Sequence, residues 1–482
     1  MRPRLLVPLT LHFSVRYLLR TGLLASLRDD AVPVIAVSWD DPELESELEA
    51  IGCEVHRLPA ARTGTLYGQC RSRLNVWHFA RLASPSTAID NRRANLQRTV
   101  GERLRRDARL RWYRMREAMP GGVERVLADE RRAIESDTNI AVFRDLVREL
   151  RPDGVLSLTP FLPDEELLLR AAAEQGIPLC AAILSFDNIT TRGWIPVTFD
   201  TYLLWNKYNV GELERAYPDS ASSTVTVVGA PQFDFYSDRS YIWDERQWRR
   251  IVGVPLDRPV ILYGGGARTI VPHEPLFVRH LDDAISRGDI PGRPVVLFRR
   301  HPIDPPARWE AIRRTAQHVV FDEPWEAVQG GGHVNIRRID IERLASTLRH
   351  SAVHVNVSST LAVDGAIFDR PQVGPAYDDG PRHRYDRATR ELYLREHFLP
   401  ITRSGGLDVA TSAHAMIDAV ASGLSDPSAN ALGRRRLVDE ICTFNDGQAT
   451  SRVVTAVRAF LNQNAADRRA KMSLIAGAGT AG

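Results

Sequence analysis

Three features that mark common classes of protein are scarce or missing in this 482-residue sequence. Its four cysteines form no CxxC pair and no regular framework, which argues against structural zinc and indicates reduced thiols. No apolar run reaches the roughly 20 residues that a membrane span requires, so we expect a cytoplasmic protein. The formal net charge of +3 is small for this length and does not indicate a nucleic-acid partner.

The composition, with 44% hydrophobic and 26% charged residues, is that of a globular protein. The length of 482 residues exceeds that of a usual single hydrophobic core. We predict an N-terminal domain over residues 1–235, a crossover linker over 236–257 and a second domain over 258–425. Helices follow over 426–464, and a disordered tail is expected over 465–482. Within the second domain, Asp408–Gly423 reads as a helix.

Strands and helices alternate from the amino end, beginning with the strand Leu5–Leu9, and this alternation predicts a parallel sheet. Ligands bind such sheets at the carboxyl ends of the strands. His12 follows the first strand, and Asp187 and Asn188 follow the strand Pro178–Leu184, so all three side chains are candidates for one cleft. His12 fits a general base or a histidine packed on its helix, and the Asp-Asn pair also fits an ordinary turn.

Residues 61–137 interrupt the alternation with arginine-rich helix, as in RRANLQRTVGERLRRDARLRWYRMREAM. Such a segment could lie on an anionic membrane surface, with Trp112 and Met115 placed among the arginines. The alternative is a solvated helical insertion whose arginines pair with Glu102, Asp107 and Glu117. We favour the second interpretation, because acidic residues interrupt the basic run.

In the second half of the chain, two short segments that could bind a phosphate lie at the ends of successive predicted strands. Gly264, Gly265 and Gly266 end the first strand and would let a phosphate approach the backbone closely, although their spacing matches no known phosphate-loop fingerprint. The next strand runs into Arg299, Arg300 and His301. Arginine binds phosphate oxygens in a bidentate manner and keeps its charge, so this group suits a pyrophosphate, with a surface turn as the alternative.

The stretch from His350 to Asp378 supplies a third group. An alternating strand, Ala352–Val357, is followed by Ser358, Ser359 and Thr360, each able to cap a helix whose first N–H groups would face an anion. Asp364 lies in the first turns of that helix. It would either interact with the helix dipole or accept hydrogen bonds from ribose hydroxyls. Since all three groups follow strands of one sheet, we expect them to line one nucleotide pocket.

Several motifs resemble those of a known group of enzymes. VVGAPQFD, FRRHP, SSTLAVDGAIFDRPQV and DGQATSRVVTAV are together similar to bacterial surface-polysaccharide transferases of the glycosyltransferase-B fold, and most similar to CDP-glycerol glycerophosphotransferase-like proteins. The resemblance implies an α/β fold of two Rossmann-like, doubly wound domains that face each other across a cleft, with the helical insertion in the first. It also implies a nucleotide-activated donor in the second domain, an acceptor in the first, and no obligatory metal or cofactor.

The predicted function is transfer of a glycosyl group from a nucleotide-activated sugar to a hydroxyl of a polysaccharide or lipid-linked acceptor. His12 or Asp187 would deprotonate that hydroxyl. A charged, aromatic stretch after Tyr377 is expected over the cleft, and its Arg382, His383 and Tyr385 would bind the acceptor with Asn188. YDDGPRHRYD only partly matches the glycerophosphotransferases, so we prefer a sugar donor. The alternatives are glycerophosphate transfer, a nucleotide-sugar 2-epimerase and a non-catalytic scaffold.

Overall fold

The computed structural model describes residues 2–96, 98–302, 304–323, 326–327, 334–378 and 388–478. The N-terminal half forms a seven-stranded sheet with the order β3-β2-β1-β4-β5-β6-β7, in which every pairing is parallel. Its strands are β1 (Arg4–Leu9), β2 (Val32–Val37), β3 (Glu54–Arg57), β4 (Gly154–Ser157), β5 (Leu179–Ala182), β6 (Thr201–Leu204) and β7 (Thr224–Val227).

Helices cover both faces of this sheet, as the nearly continuous burial of β1 and β2 requires. They are α1 (His12–Val15), α2 (Leu23–Leu27), α3 (Pro42–Ala50), α4 (Thr65–Leu82), α5 (Pro85–Leu96), α6 (Val100–Ala118), α7 (Gly122–Asp137), α8 (Ile140–Leu150), α9 (Pro163–Glu174), α10 (Asn188–Thr191) and α11 (Lys207–Ala216). A π-helical segment, Arg16–Arg20, separates α1 from α2, and a 3-10 segment, Pro231–Tyr236, begins the connection to the second sheet.

The second sheet has six parallel strands in the order β10-β9-β8-β13-β14-β15. They are β8 (Val260–Gly264), β9 (Val295–Arg299), β10 (Val319–Asp322), β13 (Val353–Asn356), β14 (Gln372–Pro375) and β15 (Leu407–Ala410). The short strands β11 (Glu326–Ala327) and β12 (Val334–Asn335) form a separate antiparallel pair. The helix predicted from Asp408 therefore starts later, because Leu407–Ala410 pairs with β14 instead.

The helices of this half are α12 (Glu245–Val252), α13 (Pro275–Arg287), α14 (Glu310–Thr315), α15 (Arg338–His350), α16 (Leu361–Ile367), α17 (Ala388–Leu392), α18 (Leu399–Arg403), α19 (Ala413–Ser425), α20 (Ala431–Cys442) and α21 (Ala449–Ala478). A 3-10 turn, Glu396–Phe398, precedes α18. The last helix continues to Ala478, through a stretch rich in alanine and other strong helix formers, and the disorder expected over 465–482 stays a prediction.

The chain returns to its first domain at the end. Val453, Val457 and Phe460 of α21 are buried in the same hydrophobic cluster as Leu5 of β1 and Leu156 of β4. The fold is thus the predicted α/β arrangement of two doubly wound domains with a helical insertion, α4 to α7, in the first. Among the described residues, no helix combines the length and apolar character needed to cross a bilayer.

Each sheet reverses its strand order once, between β1 and β4 in the first and between β8 and β13 in the second. A crevice opens at the carboxyl ends of the strands at such a switch point, where ligands of this fold class bind. His12 follows β1, Gly264 is the last residue of β8, and Ser358 follows β13. The architecture therefore places predicted site residues of both domains at these two edges.

The helical insertion also contacts the second domain. The Ser86 hydroxyl of α5 accepts a hydrogen bond from the Glu396 N–H at 2.8 Å, and Arg92 lies 3.4 Å from the Glu391 carboxylate. Arg395 forms a further ion pair with Asp90. Helix α5 therefore connects the two domains, a relationship that the sequence did not indicate.

Candidate active site

The three predicted donor groups meet at one edge of the second sheet. In the strand register, Gly264 at the end of β8 pairs with Arg299 of β9 on one side and with Asn356 of β13 on the other. The loops that begin at Gly265, Arg300 and Val357 are consequently neighbours. Parallel pairing alone produces this convergence, and the assignment of the loops to a donor remains a prediction.

The glycine loop has a structural reason for its composition. A Cβ at Gly264 would lie 2.1 Å from Leu361 Cδ2, so the Leu361 side chain of helix α16 would have to move to admit any side chain there. The N–H of Gly265 donates to the Arg299 carbonyl at 2.9 Å, and the N–H of Gly266 donates to the Glu274 carboxylate at 2.9 Å. Both amides already donate to groups within the protein, whereas the sequence analysis expected them to be available to a phosphate.

Glu274 lies behind this loop in a buried polar cluster. Its carboxylate accepts a hydrogen bond from the Tyr263 hydroxyl at 3.3 Å and lies 3.5 Å from Arg308. Arg308 in turn contacts Asp304 at 3.0 Å. Burial raises the pKa of Glu274 to about 8, and Arg308 opposes this increase. The cluster supports the glycine loop from within the domain.

The two arginines after β9 are engaged in ion pairs. Arg299 is buried and donates to Asp322, its register partner on β10, at 2.7 Å. Arg300 is less buried and contacts Glu323 at 3.0 Å. Burial lowers the pKa of His301, with the neighbouring Arg300 acting in the same direction and Asp304 opposing it. The lowered pKa favours the neutral imidazole, which could contact a phosphate through a hydrogen bond.

The turn after β13 is strained. Ser358 has a φ of +43°, a left-handed conformation that costs energy in a residue with a Cβ. Its N–H donates to the Tyr393 hydroxyl at 3.3 Å, and Tyr393 donates to the Pro375 carbonyl at 2.9 Å. Tyr393 thereby ties this turn to the end of β14. Ser359 caps the chain locally by accepting from the Leu361 N–H at 3.2 Å, whereas Thr360 is exposed.

Asp364 is buried and contacts residues outside its own domain. Its carboxylate accepts a hydrogen bond from the Tyr236 hydroxyl and lies 3.6 Å from Arg16. Burial raises its pKa, and Arg16 and Tyr236 oppose the increase. Arg16 also donates to the Gln232 carbonyl at 3.0 Å. Asp364 thus helps to join the domains, and a role in binding ribose stays a prediction.

Polar groups also converge at the edge of the first sheet. His12 is buried at the start of α1, with its ring centroid 4.3 Å from that of Phe13. Nearby in the fold, the buried Glu165 accepts hydrogen bonds from Thr10 after β1 at 2.7 Å and from Ser157 of β4 at 2.5 Å. Burial raises the pKa of Glu165. The switch point of the first domain therefore carries both a histidine and a carboxyl group.

Asp187 is held by its own turn. Its carboxylate accepts hydrogen bonds from the Ser185 hydroxyl at 2.5 Å, the Asn188 amide at 3.3 Å and the Thr191 hydroxyl at 3.3 Å. Burial alone would raise its pKa, but His397, Ser185 and Arg192 outweigh burial and bring the pKa below its ordinary value. A carboxylate of low pKa is a weak base, so it is better suited to orienting or stabilising a neighbouring group.

His397 is a residue that the sequence analysis missed. It comes from the second domain, is buried near Asp187, and has its Nδ1 3.4 Å from the Ser86 hydroxyl of α5. Burial lowers its pKa, and Asp187 opposes the decrease. A neutral imidazole beside a carboxylate can accept a proton, so His397 is a further candidate base. In the sequence, His397 is one residue of the charged stretch after Tyr377, and no motif there indicated a role for it.

The other predicted acceptor residues, Arg382, His383 and Tyr385, lie outside the described residues. Asn188 is described and is buried at the start of α10. The candidate site therefore consists of the strand edges of the two sheets. Asp364 and Tyr236 join the domains at the edge of the second sheet. Asp187 of the first domain and His397 of the second are close enough to affect each other's pKa.

Comparison with known proteins agrees with this architecture. The structure is similar to that of S. aureus MnaA in complex with UDP, with a TM-score of 0.55, 11% identity and coverage of 96% of this chain and 97% of the other. UDP-GlcNAc 2-epimerase from Neisseria meningitidis, bound to UDP-GlcNAc, gives a TM-score of 0.54 at 11% identity and coverage of 94% and 99%. The calicheamicin glycosyltransferase CalG4 gives 0.50 at 13% identity and coverage of 96% and 99%.

These similarities establish the glycosyltransferase-B fold. No curated protein matches the sequence. A family model does match, over residues 197–459, which is more than half of the chain and includes the whole second sheet. The resemblance seen in the motifs is thereby confirmed: the chain is a transferase-type enzyme that belongs to the CDP-glycerol:poly(glycerophosphate) glycerophosphotransferase family.

Proposed function

We propose that the protein transfers a glycosyl group from a nucleotide-activated sugar to a hydroxyl of a cell-surface polysaccharide or lipid-linked acceptor, without an obligatory metal. The observation that carries this proposal is the pairing of Gly264 with Arg299 and Asn356, because it brings three loops together at the switch point of the second sheet. Nucleotides bind doubly wound sheets at this position.

The donor would lie on the edge of the second domain, with its phosphates near Arg300, His301 and Thr360. Arg300 is the better candidate of the two guanidiniums, since Arg299 is buried against Asp322. A leaving diphosphate would compete with Glu323 for Arg300 and could gain a hydrogen bond from the neutral His301. Asp364 would accept hydrogen bonds from the donor ribose in exchange for its bond from Tyr236.

The acceptor would approach from the first domain. His12 and Asp187 follow β1 and β5 there, and the second domain contributes His397. We retain His12 and Asp187 as the proposed base and its alternative. The low pKa of Asp187 supports a role in orienting an imidazole more than one in removing a proton.

Transfer of glycerophosphate from CDP-glycerol is the second candidate. The family match favours it, because the matched residues 197–459 include the entire proposed donor edge. The two candidates share the fold, the position of the nucleotide and the need to stabilise a phosphate leaving group. They differ in the transferred group and in the base of the nucleotide.

Thermal-shift measurements with UDP, GDP, CDP, CMP and dTDP test the proposal directly. A ligand that binds only the folded state raises the melting temperature, and at a concentration 100 times its Kd it adds about 2.7 kcal/mol of stability. We expect one nucleotide to give a clear rise that Thr360→Ala or Asp364→Ala reduces. A rise with CDP and CMP alone, followed by turnover of CDP-glycerol, would favour the second candidate. No shift with any of the five would overturn both.

A further inference from the structure

A cavity lies where the chain crosses between the two domains. Its wall includes Tyr236, Arg239 and Ile242 from the first crossing, Asn445 from the return crossing between α20 and α21, and Arg349 and Phe368 from the ends of α15 and α16. The volume is about 470 Å³, which is within the range of small-molecule sites. We call it the hinge cavity, because both crossings border it.

Two exposed arginines line the hinge cavity, Arg239 and Arg349. Among the residues that the structure describes, no carboxylate lies within 4 Å of either guanidinium. The acidic residues that adjoin the lining residues in sequence have other partners. Asp238 accepts a hydrogen bond from the Ser240 N–H at 2.8 Å, and Asp446 accepts one from an arginine of α21 at 3.0 Å. The positive charge of the two arginines is therefore not balanced locally.

Arg370 adds a third positive charge beside Arg349. Its guanidinium donates to the Arg349 carbonyl at 2.5 Å, and burial lowers its pKa, with the Arg349 charge acting in the same direction. Asp369 and Glu245 oppose the decrease, but each is itself paired with another arginine, at 2.7 Å and 2.8 Å. Like charges held together in this way repel each other, and a bound anion would relieve that repulsion.

The opposite part of the wall is apolar. Phe368 is buried and packs edge to face against Tyr236, with the ring centroids 5.2 Å apart, and Ile242 is half-buried beside the same cavity. A site with an apolar wall and a few convergent charged groups fits a small molecule that has an apolar part and an anionic group. Arginine pairs with such a group through two parallel hydrogen bonds.

We propose that the hinge cavity binds a small organic phosphate, with its phosphate on Arg239 and Arg349 and its apolar part against Phe368 and Ile242. Charge selects a phosphate over a carboxylate. A phosphate monoester carries a charge of about −1.5 to −2 at pH 7, which matches two guanidiniums, whereas a carboxylate carries one negative charge.

Such a ligand would also regulate the transferase site. It would contact both crossings and Tyr236, whose hydroxyl donates to Asp364 across the domain boundary. A ligand that binds one arrangement of the domains more tightly than another shifts the protein towards that arrangement. Binding to the hinge cavity is independent of the transferase function, whereas this regulation rests on the proposed contact of Asp364 with the donor.

Calorimetric titration of the full-length protein with phenyl phosphate tests the site. We expect saturable binding, weaker binding of benzoate, and weaker binding of inorganic phosphate, which lacks the apolar part. Arg239→Gln and Arg349→Gln should each raise the Kd of phenyl phosphate roughly tenfold or more, the loss expected for a hydrogen bond between charged groups. The matched control is Arg435→Gln, which replaces an exposed arginine of α20 outside the cavity and should bind as the wild type does.

The melting temperatures of the ligand-free variants should equal that of the wild type, since both replaced side chains are exposed. Equal Kd values for the wild type, Arg239→Gln and Arg349→Gln would overturn the proposal. So would equal affinity for inorganic phosphate and phenyl phosphate. Loss of binding in Arg300→Gln but not in Arg239→Gln would place the phosphate on the donor edge and would also overturn it.

Reciprocal titrations test the regulation. Saturating phenyl phosphate should change the Kd of the nucleotide that stabilises the protein by about fivefold or more, and that nucleotide should change the Kd of phenyl phosphate by the same factor. Unchanged values in both titrations would overturn the regulatory role. Failure of every nucleotide to bind, with phenyl phosphate still binding through Arg239, would count against the transferase function and not against this site.

Discussion

The Tyr236 hydroxyl donates a hydrogen bond to the Asp364 carboxylate, and this contact joins the connection between the domains to the helix after β13. Arg16 of the first domain lies 3.6 Å from the same carboxylate. Asp364 was expected to bind the donor, and the structure shows that it also has partners across the domain boundary. If Asp364 binds the donor as we propose, donor binding and the relative position of the domains would be linked through one side chain.

Asp364→Ala should raise the KM for the donor by roughly tenfold or more, the loss expected for hydrogen bonds to a charged group, with little change in the KM for the acceptor. Steady-state kinetics with each substrate varied in turn measures this split. Asp408→Ala is the control, since Asp408 is a half-buried carboxylate of the same domain that bonds to Asn430 at 3.0 Å. An equal rise in both KM values would argue against a ribose contact.

Tyr236→Phe should lower the free energy of unfolding by about 1–3 kcal/mol, because it leaves the buried Asp364 without a hydroxyl donor. Urea denaturation of the two proteins gives the difference. Tyr241→Phe removes a partly buried hydroxyl that donates to the Arg20 carbonyl at 3.2 Å, and it should cost less. Equal losses in the free energy of unfolding would show that the hydrogen bond to Asp364 stabilises the protein no more than the one from Tyr241 to Arg20.

Glu274 should make stability depend on pH. Its pKa is about 8 in the folded protein and ordinarily 4.5, so the folded state holds the proton more tightly between these values. The free energy of unfolding should then fall as the pH rises from about 4.5 to 8 and level off above that, by at most about 1.4 kcal/mol per pH unit for one group. Glu274→Gln should flatten this slope in denaturation series measured at several pH values.

Glu212 provides the matched control for that series. Burial raises its pKa to about 8 as well, and it accepts a hydrogen bond from Asn209 at 2.9 Å. Glu212→Gln should remove a similar share of the slope, and the double variant should lose about the sum of the two shares. A slope that is the same in the double variant and the wild type would assign the pH dependence to other groups.

The positions of the strand ends could be predicted from the sequence, but the partners of the side chains could not. Parallel pairing places Gly264, Arg299 and Asn356 side by side whatever their side chains do. The same pairing brings Asp322 next to Arg299, and Asp322 lies on β10, a strand that the sequence analysis did not recognise. Two arginines that suited a pyrophosphate are therefore ion-paired within the protein.

Contacts between the domains could not be predicted from local sequence patterns, for a related reason. Tyr236 and Asp364 are 128 residues apart, and Ser86 and His397 are 311 apart. No periodicity or motif indicates such pairs, because they depend on how two complete domains pack. The helix predicted over Asp408–Gly423 begins only at Ala413 for the same reason, because Leu407–Ala410 pairs with the distant strand β14.

Ser358→Gly should be more stable than Ser358→Ala by about 1 kcal/mol. Both substitutions remove the hydroxyl, which donates to the Leu392 carbonyl at 3.2 Å, so the difference isolates the cost of a Cβ at a φ of +43°. Chemical denaturation of the two variants measures it. A more stable alanine variant would contradict a strained turn at this strand end.

The identity of the general base is tested by comparing single variants of His12, Asp187 and His397 at saturating donor. If His12 removes the acceptor proton, His12→Ala should lower kcat by about 100-fold or more, in the range that general base catalysis contributes. If Asp187 orients His397, then Asp187→Asn and His397→Gln should lower kcat by similar factors, and their double variant should add little because the two residues act as one unit. Near wild-type turnover of both His12→Ala and Asp187→Ala would exclude the proposed assignment. A large effect of His397→Gln alone, with a shifted pH profile, would then assign the base to the second domain.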